Sequence, residues 1–297
     1  MTPRVMKAVA TRIVRRAARA YIAGPELADA LHLSRRLDAA GLSTTICFWD
    51  GPGDTPAGAA AKYREALDAI AGQMLDCYLS VKAPALEFAG DLFFGIFERA
   101  HRAGRKIHFD SLGLEAADRT FDLVAAARRL NCNAGCTLPG RWHRSLDDAG
   151  RAVDLGASVR VVKGQWPDTQ PEIDHGQGFL NVIDRLAGRA RQVAVATHNP
   201  RLAEKALTRL RASGTSCELE LLFGLPGIHM LPVAQKAGVP VRFYVPYGHA
   251  WLPYALRQMR RDPRILLRIF RDCVSGHGLG IADKAARFRW PRPVTAD

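Results

Sequence analysis

The chain has 297 residues, 48% of them hydrophobic, which is enough to build one large core or two small ones. No run reaches the roughly 18 uninterrupted apolar residues of a spanning helix. The Arg-punctuated start, MTPRVMKAVATRIVRRAARAY, lacks the apolar stretch of a secretory signal, so the expectation is a cytoplasmic protein. The excess of 42 Lys+Arg over 29 Asp+Glu, net +13, favours anionic partners: nucleic acid, a membrane surface or a phosphate-bearing cofactor.

Much of that charge lies at the two ends, in Arg12, Arg15, Arg16 and Arg19, and again from Arg260 to Arg271 and Lys284 to Arg292. No zinc-finger, RRM or basic-zipper pattern accompanies it, so no nucleic-acid partner is expected. The six cysteines, Cys47, Cys77, Cys132, Cys136, Cys217 and Cys273, form no CxxC pair and read as reduced core or loop thiols. No metal site is expected.

In chain order, residues 1–40 read as an N-terminal helical extension. Eight short β-branched or apolar runs follow: STTICFWD from Ser43, DCYLSVKAP from Asp76, KIHFDSL from Lys106 and NAGCTLPG from Asn133, then VRVVKGQW from Val159, QVAVATHN from Gln192, CELELLFG from Cys217 and PVRFYVPYG from Pro240. Between them lie helical spacings such as KYREALDAIAG, FDLVAAARRL and RLAEKALTRLRASG. Alternating strands and helices call for a parallel sheet covered on both faces. Eight such units predict an α/β fold, a closed (βα)8 TIM-type barrel over residues 41–275 with additional terminal helices. Asp54 and Pro56 are expected to open the first barrel helix. Asn199-Pro200 pairs an N-cap with a proline at the first helical position, and Gly214 stops that helix. Residues 264–275 read as one more helix, and residues 276–297 as a basic tail.

Reactive groups of such barrels sit at the C-terminal ends of the strands. Those ends carry Lys82, Asp110, Lys163-Gly164-Gln165-Trp166, Thr197-His198-Asn199, Glu220, Tyr244 and Tyr247-Gly248. Lys82 and Asp110 fall on sequential strands, where an ion pair is expected, either catalytic or a structural plug. The helix start at Asn199 would suit a phosphate-bearing ligand, or is an ordinary cap. There is no GxGxxG after a strand and no GxxxxGK[ST], so a dinucleotide would not sit on a Rossmann loop. A strand-end lysine, Lys82 or Lys163, also leaves open a Schiff-base lyase or aldolase.

VRVVKGQW, VAVATHN, CELELLFGL and VRFYVPYGHAWLPYALRQM resemble, in order and spacing, the last four strand motifs of the proline dehydrogenases. YLSVKAPAL and KIHFDSL resemble the second and third. The likeness runs over roughly residues 18–270. It implies a distorted β/α barrel with noncovalent FAD, hydride transfer from proline to give the cyclic imine, and a quinone as electron acceptor. By the same resemblance FAD would contact Arg160, Val162, Lys163, Gly164, Trp166, Thr197, His198, Asn199 and Glu220. The substrate would contact Lys82, Asp110, Tyr244 and Arg257, the last able to hold a carboxylate through two parallel hydrogen bonds.

The pattern is also broken. Gln258 and Arg261 stand where the family has a second clamp arginine and a glutamate, and Pro139 replaces a strand-4 glutamine. Glu220 replaces a strand-7 glutamine, and a carboxylate beside a flavin would lower its potential. Trp166 replaces a tyrosine. The expectation is therefore an FAD-dependent dehydrogenase of proline or a related cyclic or secondary amino acid, with a flavin- or amino-acid-binding protein without turnover as the alternative. Arg264, Arg268 and Arg271 share a helical face that would suit peripheral contact with anionic lipid, or a solvated surface.

Overall fold

A computed structural model describes residues 23–171, 173–225, 227–248, 285, 286, 290 and 291. Eight parallel strands close into a barrel in sequence order: β1 (Ser43–Phe48), β2 (Cys77–Val81), β3 (Ile107–Phe109), β4 (Ala134–Pro139), β5 (Ser158–Val162), β6 (Val193–Ala196), β7 (Cys217–Leu222) and β8 (Val241–Tyr247). Closure is direct. β1 pairs with β8 along its whole length, from Ser43 opposite Arg242 to Phe48 opposite Tyr247. All eight predicted strand runs are found.

Helices α1 (Leu27–Ala39), α2 (Pro56–Ala71), α3 (Gly90–Arg102), α4 (Ala117–Arg129), α5 (Ser145–Asp154), α6 (His175–Leu186), α7 (Pro200–Ala212) and α8 (Leu231–Ala237) surround the barrel. Helix α1 belongs to the predicted N-terminal extension. The predicted helix over 264–275 and the clamp residues Arg257, Gln258 and Arg261 lie outside the described residues.

The helix starts follow local chemistry. Asn199 caps α7 by accepting from the Arg201 and Leu202 amides, with Pro200 in the first turn, as expected. Helix α2 corrects the expectation by one residue. Thr55 is its cap, accepting from the Gly58 amide, while Asp54 turns back to accept from Gly51.

Each strand alternates between two buried environments. One set of residues, including Ile46, Leu79, Val161, Val195, Leu219, Leu221, Phe243 and Val245, is fully buried in the hydrophobic core. The other set points into the barrel and is polar: Tyr78, Ser80, His108, Arg160, Glu218, Glu220 and Arg242, all buried. Barrel interiors are ordinarily filled by branched hydrocarbon side chains. Here charged groups take their place, and each needs a partner, because an unpaired buried charge is costly. The five described cysteines are buried free thiols.

Candidate active site

The interior charges form two levels. The lower is built on Arg242. Its Nε donates to both Glu218 carboxylate oxygens at 2.9 and 3.0 Å, its Nη1 donates to the Thr44 carbonyl at 2.7 Å, and its Nη2 donates to both Asp76 oxygens at 3.0 Å. Asp76 also accepts from the Ser43 hydroxyl at 2.6 Å. Burial disfavours the Asp76 carboxylate, but Arg242 outweighs it and holds the group below its usual range. The Tyr78 ring lies above this cluster, 4.5 Å from the Arg242 guanidinium carbon and 3.7 Å from the Lys106 ammonium. Lys106 is only partly covered, yet burial around its ammonium lowers it to about 8.

The upper level lies at the C-terminal mouth and is built on Arg160. Its Nε donates to Glu220 Oε2 on β7, and its Nη1 to Asp110 Oδ1 at the end of β3, both at 2.8 Å. Burial works against the Arg160 charge, but Glu220 and Asp110 more than compensate and fix it as a cation. Asp110 is the most heavily used acceptor of the level. Oδ1 also accepts from Ser80 Oγ at 2.7 Å, and Oδ2 accepts from Tyr244 Oη at 2.6 Å and, weakly, from Cys47 Sγ at 3.7 Å. Burial, and then the Asp110 charge, push the Tyr244 phenol well above its usual value, so it remains a hydrogen-bond donor. The same two causes raise the Cys47 thiol, which is therefore not a thiolate. His108, one level below, is held neutral by burial and by Arg160, with Nε2 3.0 Å from Thr137 Oγ1.

The expected Lys82–Asp110 ion pair does not form. The Lys82 ammonium pairs instead with Asp50 at 3.6 Å, and Asp110 is held by Arg160. The reason is reach. Arg160 reaches across the interior from β5 to β3 and β7, whereas Lys82 lies past the end of β2 and meets Asp50 just beyond β1. Lys82 and Asp110 still share one neighbourhood, linked through Trp49 and Tyr244.

The remaining predicted residues line the same end of the barrel. Val162 closes β5, and Lys163 and Gly164 follow it. Gly164 has φ +96°, and an added Cβ would lie 2.8 Å from Pro139 Cβ and 2.9 Å from Arg141 Cγ. Trp166 is half exposed, and its carbonyl accepts from the Trp142 indole. Thr197 Oγ1 accepts from the Asn199 amide. His198 Nε2 accepts from the Leu222 amide at 3.1 Å, which puts the proton of the neutral ring on Nδ1 and ties the β6–α7 loop to β7. These atoms, together with the Asn199 cap, are thus engaged by the protein's own backbone. Arg257 lies outside the described residues.

Several participants escaped the sequence reading: Ser80, Cys47, Trp49 and Asp50 at the mouth, and the whole Arg242 cluster. For Ser80, Glu218 and Arg242 the signal was present as polar residues at every second position of CYLSVK, CELELL and VRFY.

Two buried atoms of the upper level have no partner among the described residues: Arg160 Nη2, a donor, and Glu220 Oε1, an acceptor. Buried polar atoms seldom stay unpaired, so this pair keeps one donor and one acceptor for a water or a ligand group.

A parallel eight-stranded barrel with a polar, partly unsatisfied cluster at its C-terminal mouth defines the class: a β/α-barrel protein with an enzyme-like site. No family model matches the chain. Among curated proteins, proline dehydrogenase 1 of Bacillus subtilis subsp. natto is 25% identical over 277 residues, covering 86% of this chain and 89% of that one. The proline dehydrogenase of Deinococcus radiodurans is 26% identical over 260 residues, covering 70% and 83%. Among solved structures, proline utilization A (PutA) from Bdellovibrio bacteriovorus, inactivated by N-propargylglycine, superposes with a TM-score of 0.73 at 16% identity. That superposition covers 99% of this chain, which spans 38% of the much longer PutA chain, and it speaks for the fold. Taken with the matching order of strand motifs, these findings show that the chain is similar to the proline dehydrogenases over most of its length and shares their barrel fold.

Proposed function

We propose that the protein is a flavin-dependent dehydrogenase that oxidises proline, or a closely related cyclic secondary amino acid, to the imine. The observation that carries this reading is the Arg160–Asp110–Tyr244 network at the barrel mouth, in a chain whose curated relatives are proline dehydrogenases. FAD, when bound, would supply the hydride acceptor at its N5 position.

The residues present fit such a group. Arg160 Nη2 and Glu220 Oε1 offer a donor and an acceptor to the edge of a heterocycle. A fixed cation at Arg160 suits a ring that becomes anionic on reduction. The Cβ-free backbone at Gly164 allows close approach beside β5. Val162, Lys163, Trp166, Thr197, His198 and Asn199 would form the rest of the cradle. Glu220 stands where a neutral side chain was expected, but its charge is largely taken up by Arg160 at 2.8 Å, so its effect on the flavin potential should be smaller than that of a lone carboxylate.

On the substrate side, Asp50 and Asp110 lie at the mouth already paired with Lys82 and Arg160, so a substrate amine would share these carboxylates with the protein's own cations. The Tyr244 ring offers an aromatic wall to a compact ring. Arg257 and Lys82 are assigned to the substrate carboxylate. With Gln258 in place of a second clamp arginine, one charge-assisted contact worth about 1.5–3 kcal/mol is lost, so proline itself would bind roughly 10–100-fold more weakly than to a site with both arms. A quinone is the proposed acceptor. The basic segment 264–275, outside the described residues, is the proposed point of peripheral membrane contact.

The test is the visible spectrum of the purified protein. A bound or readily taken-up flavin that bleaches anaerobically on adding L-proline, or a related cyclic amine, supports the reading. Colourless protein that takes up no added FAD sinks it. FAD uptake with no bleaching by any of a panel of cyclic amines favours a binding protein without turnover.

A further inference from the structure

The mouth carries two acid–base pairs, Lys82 with Asp50 and Tyr244 with Asp110, and one side chain touches both. Trp49 is the first residue beyond β1, yet it keeps the strand's hydrogen bonding, its amide donating to the Tyr247 carbonyl at 2.8 Å. It therefore continues the inward alternation of β1, one step above Cys47, whose thiol faces Asp110. Its indole Nε1 donates to Tyr244 Oη at 3.2 Å, with the two ring centroids 6.4 Å apart and tilted by 59°. The Lys82 ammonium sits 4.5 Å from the Trp49 ring centroid on its way to Asp50. The backbone is pinned as well. Gly248 has φ +103°, and a Cβ there would come within 2.6 Å of the Trp49 carbonyl oxygen.

Resting on the amine-oxidising reading above, we propose that Trp49 is a positioning residue of the amine site. It fixes the Tyr244 hydroxyl on Asp110 and steadies the Lys82 ammonium beside Asp50, so that the two pairs respond to substrate as one unit. A phenol has one hydrogen to give, and here it goes to Asp110. The indole N–H occupies the phenol oxygen from the other side and strengthens the outgoing bond, since chained hydrogen bonds polarise one another. Tyr244 therefore has no proton left for a ligand, and what it offers is its ring. The indole face meanwhile attracts the Lys82 cation. The ligand chemistry this selects is a protonated amine on a compact ring. Its nitrogen would meet the Asp110 and Asp50 carboxylates, and its carbons the Tyr244 ring, which Trp49 holds in place from behind.

The protein has five tryptophans, so 15N-tryptophan labelling gives five side-chain N–H signals, and Trp49→Phe identifies the one that belongs to residue 49. That signal should move in Tyr244→Phe, and it should move on titration of the wild type with L-proline or pyrrolidine. Trp49→Phe should raise KM for the oxidised amine about fivefold, the equivalent of one neutral hydrogen bond, with kcat and flavin content little changed. In the Tyr244→Phe background the same change should have almost no further effect, because residues acting through each other are not additive. The inference is overturned if the Trp49 signal ignores Tyr244→Phe, if no amine moves it, or if the two substitutions multiply independently. A protein that takes up no FAD and oxidises no amine would defeat the proposed function, while the N–H signal would still decide whether Trp49 senses Tyr244 and amine.

Discussion

Replacing Arg242 by methionine should destabilise the barrel from within while leaving its chemistry alone. Arg242 is buried, and its guanidinium is shared by the buried Glu218, the partly covered Asp76 and the Thr44 carbonyl. Removing one partner of a buried ion pair strands the other, at about 3–5 kcal/mol. Asp76 can turn to solvent, since its side chain is 40% exposed; Glu218, at 1%, cannot. The loss should thus come mainly from Glu218. At roughly 2–4 °C per kcal/mol for a chain of this size, the melting temperature should fall by about 6–20 °C. The assay is urea unfolding followed by circular dichroism, with amine oxidation measured in parallel. The deficit should shrink on acidification, because a protonated carboxylic acid buries far more cheaply than a carboxylate. The double change Arg242→Met with Glu218→Leu should recover most of the loss, since a buried pair can be exchanged for hydrocarbon at little net cost. A single variant within about 1 kcal/mol of the wild type, the scale of an exposed pair, would refute the reasoning. So would a double variant no better than the single one.

Asp110→Asn keeps the shape but loses the charge that holds Arg160 and Tyr244; dye-linked amine oxidation should drop at least about 100-fold, the scale of a lost charge-assisted contact at a reacting centre, and near-wild-type turnover would remove Asp110 from the site. Gly164→Ala forces a side chain into a left-handed backbone already crowded by Pro139 and Arg141, so it should cost about 1–3 kcal/mol and weaken FAD uptake as measured by absorbance. Asn199→Ala removes two hydrogen bonds at the start of α7 and should lower stability by about 1 kcal/mol in urea unfolding. Lys106 is lowered by burial to about 8 from 10.5. Below pH 8 both folded and unfolded chains carry the proton, and the folded one bears the cost. Between about 8 and 10.5 the unfolded chain holds more protons, so that cost is progressively relieved as pH rises. Lys106→Met should therefore stabilise the protein at pH 7, modestly given the partial exposure of the side chain, and the gain should fade towards pH 10.5; a gain that grew with pH would contradict this.

The barrel was legible because its outward-facing residues are strongly β-branched or apolar and its helices carry explicit stops, as at Asn199-Pro200 and Gly214. The mouth was legible as a set of residues but not as a wiring diagram. Lys82 and Asp110 were correctly placed at neighbouring strand ends, yet the choice of partner depends on which side chains reach across the interior. Linear spacing does not record that Arg160 spans from β5 to both β3 and β7. The Arg242 cluster was missed for a different reason. Polar residues such as Glu218 and Arg242 inside a predicted strand look like interruptions until the barrel is closed, when their period of two becomes a second, inward face. Trp49 was passed over because a strand-end aromatic has many ordinary structural uses, and only the hydrogen bond to Tyr244 distinguishes this one.

The salt-linked interior has a bearing on how the strands find their alignment. In a sheet flanked by hydrocarbon on both sides, sliding one strand by a residue exchanges one greasy neighbour for another. Here the same slip in β7 would swing Glu218 and Glu220 out under the helices and turn Leu219 and Leu221 toward two stranded guanidinium groups. Each arginine thus acts as a pin through the tumblers of a lock, making misthreaded barrels expensive and leaving the rim loops free to diverge without loosening the cylinder beneath them.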